Sequence, residues 1–269
     1  MLRLPAVAGQ FYPSNPLELS NLVHRCLQQG SSASKQYVKG CLVPHAGYVY
    51  SGSVAGSVFS RIEIPRKVIV LGVRHFPHGE NAAILCDGAW RTPLGDFPID
   101  SRLAQACKRE CPILKEDTVA HAQEHSVEVQ LPFLQVLRPN AKFVPIALGT
   151  IRFDELQGIG KALAHLIASS EEEILLLATS DLNHYEDETT TQKKDALAIA
   201  QLEAMDPYGL YEVCRKESIS MCGLCPAVAA LTALRALGAE TAETLLHATS
   251  ATVAGDFRRV VGYVGMIFS

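Results

Sequence analysis

Ile174-Leu175-Leu176-Leu177-Ala178-Thr179-Ser180-Asp181-Leu182-Asn183-His184 is the stretch on which the fold turns. Its apolar half runs without a polar break, the pattern of a strand covered by helices on both faces. A cluster of polar, chemistry-bearing residues follows at once. Val68-Ile69-Val70-Leu71 repeats the pattern and leads into Gly72-Val73-Arg74-His75, and the run ending at Val43 leads into Pro44-His45. In open α/β sheets the ligand site lies just outside the carboxyl ends of the strands. His45, His75 and His184 are therefore candidates for one shared pocket, although they are far apart in sequence.

Working outward, strands are expected at Val38–Val43, Lys67–Leu71, Lys142–Leu148, Glu173–Ala178 and Arg258–Ile267. A first helix opens at Asn15-Pro16-Leu17-Glu18, where Asn15 can cap and Pro16 suits the first turn, and Gly30 is expected to stop it. Further helices are expected at Ser51–Arg61, Arg102–Arg109, Val127–Leu137, Phe153–Ile167, Thr191–Glu203, Pro207–Arg215 and Pro226–Leu237, with Pro132 kinking the one that contains it. Ala83–Ile99 reads as an irregular or hairpin excursion. Strands alternating with helices predict an α/β protein, a three-layer α/β/α sandwich around a mostly parallel mixed sheet. One domain, residues 1–269, is the expectation.

The chain of 269 residues is 48% hydrophobic and 19% charged, enough to bury a large core. A net charge of −4 gives no nucleic-acid footprint. The opening Met1-Leu2-Arg3-Leu4-Pro5 lacks the apolar core of a secretory signal, and no stretch reaches the ~18 apolar residues of a membrane span. A cytoplasmic location, with no membrane partner, is expected. The eight cysteines then read as reduced thiols or ligands rather than a disulfide framework. Glycine-rich phosphate cradles and Gly-x-Ser-x-Gly are absent from the sequence, which removes the usual support for nucleotide hydrolysis and serine-esterase chemistry.

Four clusters carry chemistry. His45 and His75 at strand ends suit a metal, imidazole being the commonest neutral ligand; loop histidines bonding backbone would occupy the same places. Asp181 and His184 are three apart, so a helical turn would put carboxylate and imidazole on one face as an acid/base pair; the plain alternative is a capping Asp181 with a surface histidine. Glu124-His125-Ser126-Val127-Glu128 offers a His-x-x-Glu pair, or simply a helix start capped by Ser126. Because no strand precedes this cluster, His125 and Glu128 are expected to line the pocket rather than ligate. Cys222-Gly223-Leu224-Cys225-Pro226 opens a helix, whose N-terminus lowers thiol pKa values and suits a redox or metal pair.

Together these segments resemble the Memo family, also named AmmeMemoRadiSam system protein B, whose relatives share the fold of the class III extradiol dioxygenases. The resemblance rests on Ala6-Val7-Ala8-Gly9-Gln10-Phe11-Tyr12-Pro13, Pro44–Tyr48, Leu71–His75, Arg91–Gly95, Glu124–Phe133, Thr179–Tyr185 and Met221–Gly223, in family order along nearly the whole chain. It implies that His45, His75 and Cys222 converge as metal ligands. Asp181 and His184 would then stand beside the metal, with His184 as the acid/base, and Tyr48 would join His125 and Glu128 around the pocket. The dioxygenases bind Fe(II) through two histidines and a carboxylate, so a thiolate here would be softer and itself oxidisable. Cys225 departs from the basic or histidine residue often found at its position, and a Cys222–Cys225 disulfide under oxidation would remove a ligand.

The resemblance thus implies an iron- or copper-dependent redox protein, dioxygenase-like, acting on an unknown small molecule. Zinc is the other metal the ligands suit, and with it a zinc-dependent hydrolase. A non-catalytic module that binds a peptide or chaperones a metal is a reading of a different class. The family name also implies a functional link to radical-SAM and AMMECR-type proteins.

Overall fold

The apolar run at Ile174 is a middle strand of the large sheet in this computed structural model, which describes residues 1–28, 34–149 and 152–269. The chain begins with β1 (Leu2–Arg3), α1 (Pro16–Gln28), β2 (Gly40–Val43), α2 (Tyr48–Phe59), β3 (Lys67–Val73), β4 (Ala82–Ile84), β5 (Ala89–Thr92), β6 (Gly95–Pro98) and α3 (Ser101–Glu110). It continues through β7 (Lys115–Glu116), α4 (Val119–Ala122), a 3-10 turn at Glu128–Gln130, α5 (Leu131–Leu137), β8 (Lys142–Leu148), α6 (Phe153–Ala168), β9 (Ile174–Thr179) and β10 (Asp181–Glu186). It closes with α7 (Glu188–Glu203), α8 (Pro207–Lys216), α9 (Leu224–Ala236), β11 (Ala242–Thr249), α10 (Ala251–Ala254) and β12 (Val260–Phe268).

Four parallel strands, in the order β2-β9-β3-β8, form the centre of the large sheet. Around them the sheet turns antiparallel: β12 pairs β2, β10 and β11 pair β12, and β4 pairs β8. β9 is buried at all six positions and β3 at six of seven, so neither face reaches water. Each fully buried leucine there contributes about 1.5–3 kcal/mol of transfer free energy. One face is covered by α9, backed by α6 and α3; the other by α2, backed by α1 and α5. That is the expected three-layer α/β arrangement. Among the described residues no helix is long and apolar enough to cross a membrane.

Several elements depart from the sequence expectations. Pro132 kinks nothing: the 3-10 turn ends before it, and it occupies the first turn of α5, where a missing N–H costs no bond. Asp181–Glu186 is a strand rather than a helical turn, and β11 has no counterpart among the expected strands. Ala83–Ile99 contains the antiparallel β5–β6 hairpin, with β1 added in parallel along β5. Gly30, the expected stop of α1, lies outside the described residues.

Candidate metal centre

β2, β3 and β9 are parallel neighbours, so their carboxyl ends open on one edge, and each delivers its polar residues there. His45 follows Val43 by one proline and is 1% exposed. Its backbone N–H donates to Asp181 Oδ1 at 2.8 Å, its Nδ1 lies 2.8 Å from Thr179 Oγ1, and its Nε2 lies 3.1 Å from Cys222 Sγ. With Nδ1 protonated, the Thr179 oxygen accepts from that ring and from Gln130 Nε2 at 3.1 Å, and Nε2 keeps its lone pair. Burial, followed by the nearby His75 and His125, holds the His45 imidazole well below its ordinary value.

His75 leaves β3 and is oriented by Glu124, a fully buried carboxylate that takes both its backbone N–H and its ring Nδ1. Burial works to raise Glu124, but the hydrogen bond and charge of His75, with His125 assisting, hold it well below the usual carboxylate range. The approach of this segment to β3 depends on Gly72: a Cβ there would meet Val127 Cγ2 at 2.5 Å and Ser126 Oγ at 2.6 Å. His125 stacks on His75 at 4.6 Å and stands edge-on to His45 at 5.6 Å. Burial pushes His125 down to about 4, so it is neutral at physiological pH.

Cys222 arrives from the other side, one residue before the N-cap of α9. Gly223 lets it come close, since a Cβ would lie 2.3 Å from Thr179 O. The sulfur accepts the Asp181 N–H at 3.3 Å, and the thiol is free. Burial, reinforced by the Asp181 carboxylate, raises this thiol well above its ordinary value. A cation at the sulfur would reverse both effects, because a coordinating thiol is deprotonated outright. Ligand atoms of His45, His75 and Cys222 all lie within 4.8 Å of one another. Two imidazoles held by second partners and one sulfur form a donor set that fits iron, copper or zinc.

Asp181 and His184 reach the same place by an unexpected route. In a regular strand, residues three apart face opposite sides. β10 breaks register against β12 on both sides of His184, and Tyr185 adopts φ 62°, so the bulge re-aims the imidazole. Ligand atoms of Asp181, His184 and Cys222 then also lie within 4.8 Å of one another. Asp181 is pushed up to about 6 by burial, against the pull of the His45 N–H, the His75 charge and the Ala46 N–H. Burial lowers His184, against the backbone carbonyls of Ser220 and Leu182.

The polar atoms of Glu128 and Tyr48 face other partners. Glu128 is fully buried, accepts from Arg3, Ala6 N, Val7 N and Tyr12 Oη, and so fastens the N-terminal segment. Tyr48 donates to Val129 O and packs on Tyr12 and Phe133. Their contribution to the pocket is indirect: the segment they secure lays Phe11 edge-on against His125 at 4.8 Å. The sequence reading missed Thr179, Gln130 and the orienting role of Glu124. For Glu124 the available signal was a Glu directly before a histidine; Thr179 and Gln130 carry none, because only the fold brings them to His45.

An α/β protein with a histidine–cysteine cluster at the carboxyl edge of its parallel strands is thus defined. The chain matches the Memo-like protein family over residues 3–267 and belongs to that family. A MEMO1 family protein of Methanopyrus kandleri is 38% identical across all of this chain and 99% of its own length. One of Aquifex aeolicus is 38% identical over 99% of each chain. Among solved structures, an uncharacterized protein of Escherichia coli K12 shares the fold at TM-score 0.58 and 13% identity, covering 86% of this chain and 99% of that one.

Proposed function

We propose that this pocket holds a single iron or copper ion through His45, His75 and Cys222, and that the protein is a dioxygenase-like oxidoreductase acting on a small molecule. The convergence of two oriented imidazoles with one half-buried cysteine sulfur carries this reading. The bound metal would supply the redox and Lewis-acid capacity that side chains lack. The chain's own groups would manage protons. Asp181, pushed up to about 6, is poised to give or take one near neutrality. His184 Nδ1 lies 2.9 Å from Ser220 O, and the proton it gives that carbonyl leaves Nε2 as an acceptor. Phe11 packs on His125, which stacks in turn on His75.

The test is metal content by mass spectrometry on protein purified without chelator, beside a His45→Ala, Cys222→Ala double variant. Near-stoichiometric iron or copper, lost in the variant, supports the proposal and justifies a substrate screen under oxygen. Zinc in its place would redirect the reading to hydrolysis, with Asp181 as the base. No metal in either protein after anaerobic reconstitution would sink it.

A further inference from the structure

We infer that Ser220 is the positioning residue of this pocket, locking the imidazole of His184 as its Nδ1–H tautomer from the short segment that also carries Cys222. The inference deepens the proposed metal site, in which His184 accepts a proton. Ser220 uses all of its hydrogen-bonding groups on this task. Its hydroxyl oxygen accepts the His184 backbone N–H at 2.8 Å, and its carbonyl lies 2.9 Å from His184 Nδ1. Its own N–H and its hydroxyl both donate to Asn183 Oδ1, at 3.1 Å each. A carbonyl has no proton to give, so the bond to the ring requires the proton on Nδ1 and leaves the lone pair on Nε2.

The support behind Ser220 is rigid. Asn183 is fully buried. Its N–H donates to Asp195 Oδ1 at 3.0 Å, and Asp195, also fully buried, holds His247 Nε2 at 2.9 Å through its other oxygen. The β10 bulge turns the His184 N–H to Ser220. Two residues beyond Ser220, the sulfur of Cys222 takes the Asp181 N–H, so one segment registers thiol, carboxyl and imidazole together. Ser220 is itself exposed and packs no core, so altering its hydroxyl leaves the fold intact.

Nitrogen-15 NMR of the His184 ring in metal-free protein, at a pH where the imidazole is neutral, reads the tautomer directly; a His184→Gln variant assigns the signals. The wild type is expected to show the Nδ1–H form. Ser220→Ala keeps the carbonyl but removes the two hydroxyl bonds that register it against the ring, and is expected to let the Nε2–H form appear beside the Nδ1–H form, with the remaining amide spectrum unchanged. Ser220→Thr, which retains the hydroxyl, is expected to restore the wild-type ring signals. An Nε2–H wild type, an Ala variant indistinguishable from wild type, or a mixture that Thr does not reverse would each overturn the inference. Failure of the metal proposal shows separately, in metal content, and leaves the tautomer result standing.

Discussion

The carboxylate of Glu124 meets His75 twice: Oε2 accepts the backbone N–H at 2.8 Å and Oε1 lies 2.9 Å from the ring Nδ1. Oε1 also accepts the Ser126 N–H at 2.8 Å, so three donors hold the carboxylate in place. An ionised carboxylate only accepts, which puts the ring proton on Nδ1 and frees Nε2 for a metal.

Glu124→Gln tests that assignment. An amide must turn an NH2 group toward donors that now meet oxygen, so His75 loses its orientation. Metal affinity is expected to fall about 10–100-fold, measured by competition against a chromophoric chelator. Unchanged affinity would show that His75 needs no carboxylate behind it.

The histidines at strand ends were legible because the parallel core makes long apolar runs whose ends are conspicuous. β3 and β9 are buried on both faces, and their boundaries fall within two residues of those expected. β10 was not legible. Asp181–Glu186 is short and polar at most positions, and its bulge defeats the period-2 signal, so a spacing of three looked helical. β11 was hidden for a related reason: it is an edge strand, half-buried, with a register shift between Thr244 and Leu246. The second partners Thr179 and Gln130 declare themselves only through contacts between distant segments.

The Asp181 carboxyl gives the metal-free protein a definite pH signature. Its folded value of about 6 lies above the ordinary 3.8. Its favourable contribution is therefore complete below about pH 4, where both states carry the proton. It is lost as pH rises to about 6, at a cost of about 3 kcal/mol. Urea unfolding of wild type and Asp181→Asn across this window isolates the effect. The stability of the wild type relative to the variant should decline by that amount as pH rises, and a flat difference would refute it.

His121 has the opposite dependence. It is fully buried, neither ring nitrogen makes a well-formed hydrogen bond among the described residues, and burial, then the Arg3 guanidinium, push it down to about 4 against the Ala83 backbone. Above its ordinary 6.5 both states are neutral. Between 6.5 and about 4 the unfolded chain binds the extra proton, so stability falls with pH by about 3 kcal/mol and then levels off. His121→Phe removes an unsatisfied polar ring beside Trp90 while keeping most of its volume. The variant is expected to match or exceed the wild type at pH 7 and to resist acid better. Thermal unfolding at about pH 7, above the window, and at about pH 4.5, near its lower end, checks both halves.

Arg3 ties the N-terminal segment to the pocket wall. Its guanidinium pairs with Glu128, donates to Glu124 O and to His121 O, and lies 4.1 Å from the centroid of Trp90. Both charged side chains are out of water, at 6% and 0% exposure, so deleting one strands the other. Arg3→Met should cost about 3–5 kcal/mol, the price of an uncompensated buried carboxylate. The loss reaches the pocket, because Glu128 also holds Ala6, Val7 and Tyr12, and this segment carries Phe11 onto His125. Amide hydrogen exchange should therefore quicken across residues 3–12 and at His125, while β9 at the sheet centre stays protected to the level of global unfolding. An Arg3→Met protein with wild-type exchange at His125 would show that the N-terminal segment is a cover over the pocket and not a support for it.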